Sequence, residues 1–239
     1  MTRLNTPLVV LTTAVLATVV SAAGHAETHE RTWNVAEDFS IDRNPNGQWS
    51  YGSTATLGGD LTVFTVTSTI TFQVRHGAVA QWNGTYLQGD ELFPFVAKFY
   101  GDPGTKVTVF SGTKEDPGIN LIQRGANGIV MHPTLPGLGY GVIRWTARKS
   151  RTYSIRVSFF SADINVGATT DVHVQKNHVS LFDGDINGLG SVQNYSTGRR
   201  GIALSAGDVI DLVVGPNGDL TADSTGVDAV IEEEGRHDD

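Results

Sequence analysis

Apolar and polar residues alternate over long stretches in the second half of this chain. The alternation is clearest in residues 141–175, where the apolar positions include Tyr153, Ile155, Val157, Phe159, Val172 and Val174. A β-strand directs successive side chains to opposite faces, so this segment predicts three strands that each have one apolar and one polar face. Since an apolar face must be buried against another layer, the pattern predicts an all-β fold, an antiparallel β-sandwich organised around this segment.

The rest of the chain predicts short strands joined by turns. Segments rich in Val, Ile, Phe and Thr predict further strands at 32–39, 61–66, 69–74, 93–100, 106–110, 179–186, 209–214 and 226–231. Clusters of Asn, Asp, Gly and Pro at 42–47, 101–104 and 217–219 are typical of turns. Residues 77–92 show no regular pattern and predict irregular structure. No segment has the periodicity of a long amphipathic helix, and no unit repeats at a fixed period.

Both ends of the chain are expected to lie outside the sandwich. Residues 1–26 have the layout of a secretory signal peptide, with Arg3, an apolar run over residues 8–20, and the small residues Gly24 and Ala26 before a cleavage site. The alternative is an uncleaved anchor, although the apolar run is short for a membrane span. Residues 232–239 are highly charged and predict a disordered acidic tail. We therefore expect one β-sandwich domain over residues 27–231 of a secreted or periplasmic protein.

Composition restricts the function further. The chain has no cysteine, which excludes disulfide bonds, thiolate catalysis and cysteine-ligated metal sites. Its formal net charge is −8, and removing Arg3 from the 17 Lys and Arg leaves 16 against 25 Asp and Glu, or −9. An acidic chain without a basic stripe is not expected to bind nucleic acid. Beyond the signal region no segment is long and apolar enough to predict a membrane span.

Six short motifs spread over the chain carry a family resemblance. They are NPNGQWSYG at 44–52, VMHP at 130–133, YGVIRWT at 140–146, TTDVHV at 169–174, AGDVIDLVV at 206–214 and DSTGVDAVI at 223–231. In order and spacing they resemble a β-sandwich domain family of exported bacterial proteins, many of them PEP-CTERM-type surface or matrix proteins. The resemblance implies a jelly-roll sandwich similar to galactose-binding-like carbohydrate-binding modules, with a polysaccharide or surface glycan as partner. The chain departs from the family at its C-terminus, where an acidic tail replaces the Pro-Glu-Pro sorting signal.

Aromatic residues near predicted turns are candidates for sugar binding. A sugar ring presents C–H groups that pack on an aromatic ring, while neighbouring polar side chains bind its hydroxyl groups. Trp49, Tyr51 and Trp82 are predicted to form such a carbohydrate-binding face, and Tyr86 and Tyr140 occupy similar positions along the chain. The alternative is that these rings belong to the core or anchor loops, because Trp and Tyr side chains are mostly buried.

Carboxylates near the first and last predicted strands are candidate metal ligands. Jelly-roll modules of the type implied by the resemblance commonly hold a structural Ca²⁺ there, and this ion prefers several oxygen ligands. The candidates are Glu37, Asp38, Asp223 and Asp228. The alternative is that Asp38 and Asp228 bind backbone groups of nearby turns.

Catalytic motifs are absent from the sequence, which has no HExxH, GxSxG or P-loop pattern. His173 alternates with Val172 and Val174, so it is predicted to face away from the core. Three functions remain open: a noncatalytic protein that binds carbohydrate or extracellular matrix, a surface or biofilm adhesion protein, and a sandwich-fold polysaccharide lyase or hydrolase. A concave face that combines Arg, Tyr and His would favour the lyase.

Overall fold

A computed structural model describes residues 31–69, 73–88, 91–110, 121–218 and 221–235. The predicted signal peptide and residues 236–239 of the predicted tail lie outside the described residues. The described residues form 18 strands and no helix, so this part of the chain contains no helix able to cross a membrane. The strands are β1 Thr32–Asn34, β2 Trp49–Thr54, β3 Thr62–Val63, β4 Val66–Thr69, β5 Gln73–Arg75, β6 Ala78–Gln88, β7 Glu91–Tyr100, β8 Lys106–Phe110, β9 Leu121–Gly125, β10 Gly128–His132, β11 Tyr140–Thr146, β12 Arg151–Ser161, β13 Thr169–Lys176, β14 Val179–Asn187, β15 Val192–Ser196, β16 Ile202–Leu204, β17 Val209–Gly215 and β18 Thr225–Glu233.

Two antiparallel sheets form the body of the protein. The nine-stranded sheet has the order β15-β12-β18-β10-β7-β6-β4, with β1 paired to β18 and β16 paired to β12. The six-stranded sheet has the order β14-β13-β17-β11-β2-β3. From β10 to β13 the chain alternates between the two sheets, and it crosses again between β17 and β18, as in a jelly roll. The predicted antiparallel jelly-roll β-sandwich is therefore confirmed.

Side chains from both sheets meet in one hydrophobic core. The alternating residues Tyr153, Ile155, Val157 and Phe159 of β12 are all buried in it, as their spacing predicted. Trp145 of β11 is fully buried, and Trp33 packs edge-on against it with ring centroids 5.2 Å apart. Removing these large apolar surfaces from water is the main stabilising contribution to such a core.

The segment predicted to be irregular instead forms most of a long hairpin. Residues 78–88 are strand β6, which pairs with β7. A second core lies on the outer side of this hairpin, where Phe95 and Phe99 of β7 pack with Val107 and Val109 of the three-stranded sheet β5-β8-β9. Because β7 also sends Val96 into the main core, it is buried on both faces. Strand β6 lacks a regular alternation for a related reason, because residues 81–84 are all buried and a register shift follows Asn83.

Arg124 of β9 joins the three-stranded sheet to the nine-stranded sheet. Its guanidinium lies 4.5 Å from the ring centroid of Phe160 and forms an ion pair with Asp228. The planar guanidinium suits both contacts at once. Arg124 therefore ties the outer layer to β12 and β18.

The first and last strands differ in length from the predictions. Strand β1 ends at Asn34 rather than at residue 39, because the Asn34 side chain accepts hydrogen bonds from the backbone N–H groups of Ala36 and Glu37 and turns the chain. Strand β18 continues to Glu233, into the segment predicted as a tail. The carboxylate of Glu232 pairs with Arg156 at 2.9 Å, which places this charge on the sheet.

Candidate functional site

A cleft of about 320 Å³ opens where short strand β3 of the six-stranded sheet approaches β6 and β7 of the nine-stranded sheet. Loop 133–139, between β10 and β11, contributes to its lining. Cavities that bind small ligands commonly start at this volume and lie between structural elements. We name this feature the β3–β6 cleft.

The shape of the β3–β6 cleft depends on a bulge in β6. The register of β6 against β7 shifts between Asn83 and Tyr86. Gly84 lies inside the bulge, where a Cβ atom would stand 2.3 Å from the carbonyl oxygen of Phe93. Only glycine allows the two backbones to approach so closely. The bulge leaves Tyr86 half-buried at the cleft, beside the ring of Phe93.

Polar groups without formal charge line the β3–β6 cleft. Five lining residues carry hydroxyl groups on aliphatic side chains, namely Ser53, Thr62, Thr65, Thr85 and Thr134. Asn83 adds an amide, which donates a hydrogen bond to Ser68 Oγ at 2.9 Å and accepts one from Gln81. Val63 and Leu138 add apolar surface, and Leu138 is 53% exposed. The lining can therefore donate and accept hydrogen bonds beside an aromatic and aliphatic wall.

Thr134 is the least satisfied of these groups. Its side chain is 1% exposed, and its Oγ1 has no hydrogen-bond partner among the described residues. A buried hydroxyl without a partner costs free energy in the folded protein. The oxygen is enclosed, so the exposed hydroxyl side chains of the lining, such as that of Thr85, are the ones that a ligand can reach.

Behind the cleft, His132 lies between two phenylalanine rings. Its ring centroid is 4.8 Å from that of Phe93 and 5.4 Å from that of Phe95. Burial lowers the pKa of His132 to about 4. At neutral pH the imidazole is therefore uncharged, and its Nδ1–H can donate to the carbonyl of Pro133 at 2.9 Å. This histidine adds no charge to the cleft.

The three aromatic residues predicted to bind carbohydrate lie in the core. Trp49 is 1% exposed, Tyr51 is 0% exposed and Trp82 is 5% exposed. The Trp49 indole N–H donates to Asp38 Oδ2 at 2.9 Å, and that of Trp82 donates to the Ser40 carbonyl at 2.8 Å. Rings enclosed in this way offer no face to a sugar. These residues therefore do not form the exposed platform expected from the sequence. Of the aromatic candidates from the sequence, Tyr86 lines the cleft.

The four carboxylates predicted to bind Ca²⁺ lie in different surroundings. Glu37 is exposed in the turn after β1, and Asp38 accepts the indole hydrogen bond of Trp49. Asp223 is buried and accepts hydrogen bonds from the N–H and Oγ1 of Thr169, each at 3.0 Å. Asp228 is paired with Arg124 on the outer face of β18.

These contacts do not fit a shared calcium site. Among the described residues, no three His, Cys, Asp or Glu side chains come together in a way that could hold a metal ion. Asp38 accepts a hydrogen bond from the backbone N–H of Asn34, as in the alternative. Asp228 instead pairs with a cation from another layer, and Asp223 binds Thr169. A hard cation needs several oxygens around one point, and the four predicted residues do not supply them.

Tyr140, Arg144 and His173 all lie on the outer face of the six-stranded sheet, where the ring centroids of Tyr140 and His173 are 6.4 Å apart. Arg144, however, donates to both carboxylate oxygens of Asp211 at 2.6 and 2.7 Å. Such a fork-to-fork pair uses the guanidinium edge that would neutralise a uronate group. The expected signature of a lyase is therefore incomplete on this face.

Comparison with known proteins gives weak and distant matches. No protein-family model and no curated protein matches the chain. Among solved structures it is similar to CBM51 from Clostridium perfringens GH95 in complex with methyl-galactose, at 13% identity over 70% of this chain and 93% of that chain, with a TM-score of 0.36. It is also similar to a family 35 carbohydrate binding module from Clostridium thermocellum, at 15% identity over 50% and 95% of the two chains, with a TM-score of 0.25.

A third similar structure is a family 35 carbohydrate binding module from an environmental isolate, at 19% identity over 44% of this chain and 84% of that chain, with a TM-score of 0.25. The structural neighbours are thus carbohydrate-binding modules. TM-scores at this level carry no argument about a ligand or a site in this chain. Membership of the exported bacterial family stays a prediction from the motifs.

Proposed function

We propose that this protein is an exported, noncatalytic carbohydrate-binding module and that the β3–β6 cleft is its sugar site. The observation that carries the proposal is the lining of the cleft, which combines five hydroxyl side chains, an amide and the half-buried ring of Tyr86 without a charged residue. A neutral sugar offers the complementary groups, since its hydroxyls donate and accept hydrogen bonds and its ring faces are apolar. Few precisely placed polar groups on an apolar wall are typical of such sites.

The absence of charge in the lining selects the class of ligand. A uronate or a sulfated sugar loses favourable hydration when it enters a cleft, and it recovers that loss only by pairing with a cation. The residues lining the β3–β6 cleft include no Lys, Arg or His. A neutral hexose or pentose polymer is therefore the favoured ligand over a polyuronate.

Replacing Tyr86 with alanine tests the site. We expect Tyr86→Ala to weaken binding of a neutral polysaccharide about tenfold, or ~1.4 kcal/mol, because the variant removes the aromatic wall of the cleft. The measurement is affinity electrophoresis on galactan, mannan and xylan, with alginate as the acidic comparison. Tyr100→Ala is a matched control, since Tyr100 is also half-buried but lies at the far end of β7.

Thr85→Val separates loss of binding from loss of folding, because Thr85 is an exposed residue of the cleft lining. Valine has nearly the shape of threonine, and removing an exposed hydroxyl should leave the stability nearly unchanged. We expect weaker retention at an unchanged thermal midpoint if a sugar hydroxyl binds Thr85. Wild-type protein that is retarded by none of the neutral polymers, or variants that both bind like wild type, would contradict the proposed function.

A further inference from the structure

A second polar cluster lies away from the β3–β6 cleft, on the outer face of β13 and β14. In β13 the side chains of Val172 and Val174 are buried in the core, so Asp171 and His173 point to the opposite face. Strand β14 runs antiparallel beside β13, and its register places Asp183 directly opposite His173. Alternation and register together bring one imidazole between two carboxylates.

Both ring nitrogens of His173 contact a carboxylate oxygen. Nδ1 lies 2.6 Å from Asp183 Oδ1, and Nε2 lies 2.8 Å from Asp171 Oδ2. The second oxygen of each carboxylate is also occupied: Asp183 Oδ2 accepts from Ser180 Oγ at 2.7 Å, and Asp171 Oδ1 accepts from the backbone N–H of Asn217 at 2.8 Å. The three side chains thus form a continuous hydrogen-bonded bridge from β13 to β14.

The number of protons in this bridge follows from its geometry. An ionised carboxylate can only accept hydrogen bonds, and a neutral imidazole has a single N–H. If His173 were neutral, one nitrogen lone pair would face a carboxylate oxygen at less than 3 Å. Two donated bonds require the doubly protonated, positively charged imidazolium, and such charge-assisted bonds are short and strong.

Asp171 and Asp183 also favour the protonated state of His173. Burial alone lowers the pKa of His173, but the bonds to Asp171 and Asp183 outweigh burial and raise the pKa above its ordinary value. The pKa of Asp183 is lowered by the bond to His173, and that of Asp171 is also lowered, because its hydrogen bonds outweigh burial.

No other cation reaches His173 from the strands packed against it. From β11 the Tyr140 ring approaches edge-on at 6.4 Å, and β17 places Val213 beside His173 in the ladder. Arg144, the nearest cation along these strands, is engaged with Asp211. Strand β14 adds a third carboxylate, because Asp185 lies opposite Asp171 in the ladder. Among the described residues, the imidazolium is thus the positive charge that separates Asp171 from Asp183.

Strand β14 has few other contacts to hold it in place. It is an edge strand that pairs only with β13 among the described strands. Of its nine residues, Ile186 alone is fully buried, and Val179 is 67% exposed. An edge strand with little apolar burial is easily opened locally. On its inner face, Phe182 packs against the core and lies 5.9 Å from the Tyr195 ring. On its outer face, the bridge through His173 is the side-chain contact that ties β14 to β13.

We propose that His173 is a proton-dependent clamp that holds edge strand β14 on the six-stranded sheet and releases it at alkaline pH. Loss of the proton removes one of the two donated bonds and leaves Asp171 and Asp183 as like charges with no cation between them. The raised pKa of His173 means that the clamp is fully formed below about pH 6.5 and is lost as the pH rises through the pKa in the folded protein. The lowered pKa values of the two aspartates mean that it also weakens in strong acid, as the pH falls below their ordinary value of 3.8.

Hydrogen exchange measured by NMR tests the clamp. We expect the protection factors of β14 amides, corrected for intrinsic exchange, to fall at least about tenfold from about pH 6 to about pH 9, while the β12 amides keep theirs. In His173→Gln the side chain does not titrate, so protection of β14 should be low and independent of pH. In His178→Gln, which alters an exposed histidine in the β13–β14 turn, the wild-type pH dependence should remain.

Imidazole ¹⁵N shifts of wild-type protein provide a second readout that needs no variant to fold. We expect both ring nitrogens of His173 to keep their protons at pH values above the ordinary pKa of 6.5. Asp183→Asn should bring the titration of His173 back toward that ordinary value. A His173 that titrates at or below 6.5, or β14 protection that does not change with pH in the wild-type protein, would overturn the clamp. Neither result depends on sugar binding.

Discussion

Trp49→Ala is expected to destabilise the protein by about 3–5 kcal/mol, the range observed when a large aromatic side chain is removed from a core. Trp49 is 1% exposed and lies opposite Trp145 in the β2–β11 ladder, with both rings in the main core. The variant also leaves Asp38 Oδ2 without the indole N–H, although this oxygen still accepts from the backbone of Asn34 at 3.1 Å. Urea unfolding followed by circular dichroism measures the loss as a lower midpoint at an unchanged slope.

The conservative variant Trp49→Phe separates packing from hydrogen bonding. It keeps part of the ring volume and removes the indole N–H, so we expect a smaller loss of about 1–2 kcal/mol. Trp49→Ala that unfolds at the wild-type urea midpoint yet fails to bind a polysaccharide would show that Trp49 contacts sugar, contrary to its placement. Any polysaccharide assay on Trp49 variants therefore has to be paired with this stability measurement.

The β-sandwich is predictable from the sequence because alternating apolar and polar residues identify strands that have one buried face. In β12 every apolar position of the 153–159 run faces the core, and in β13 the same rule correctly directs His173 away from it. The rule does not tell whether the aromatic face of a short strand packs in the core or forms a binding surface. Strand β2 shows this limit: alternation places Trp49 and Tyr51 on the same face, and only the packing of the second sheet buries that face.

The β3–β6 cleft could not be predicted from spacing along the chain. Its lining comes from segments as distant as Ser53, Asn83 and Thr134, which meet only after the two sheets have paired. The sequence shows Tyr86 as an aromatic residue near a predicted turn, but its position at the cleft depends on the bulge that Gly84 permits. A register shift of this kind follows from the partner strand, so the sequence of β6 alone does not specify it.

The cluster at His173 is likewise predictable only in part, because one of its carboxylates depends on strand pairing. Alternation places Asp171 and His173 on one face of β13, two residues apart. The opposing Asp183 depends on the register of the β13–β14 hairpin, which includes a bulge between Val174 and Gln175. Without that shift a different residue of β14 would face the imidazole.

Acid is expected to destabilise the protein by about 3 kcal/mol between pH 6.5 and pH 4 through His132 alone, because the pKa of this residue falls from an ordinary value of 6.5 to about 4 on folding. In the unfolded chain His132 becomes protonated below pH 6.5, whereas in the folded protein it stays neutral until the pH falls to about 4. The contribution of neutral His132 to stability is therefore fully present above pH 6.5 and declines as the pH falls toward its pKa in the folded protein. Urea midpoints measured across this range give the size of the effect.

His132→Phe isolates this contribution. Phenylalanine keeps an aromatic ring between Phe93 and Phe95 but cannot be protonated, so the variant should lose the decline in stability between pH 6.5 and 4. The control His178→Gln should keep it. Because the clamp at His173 fails on the alkaline side, the two histidines affect stability in opposite directions, and a His132→Phe protein that still weakens as steeply as wild type in mild acid would show that other groups cause the decline.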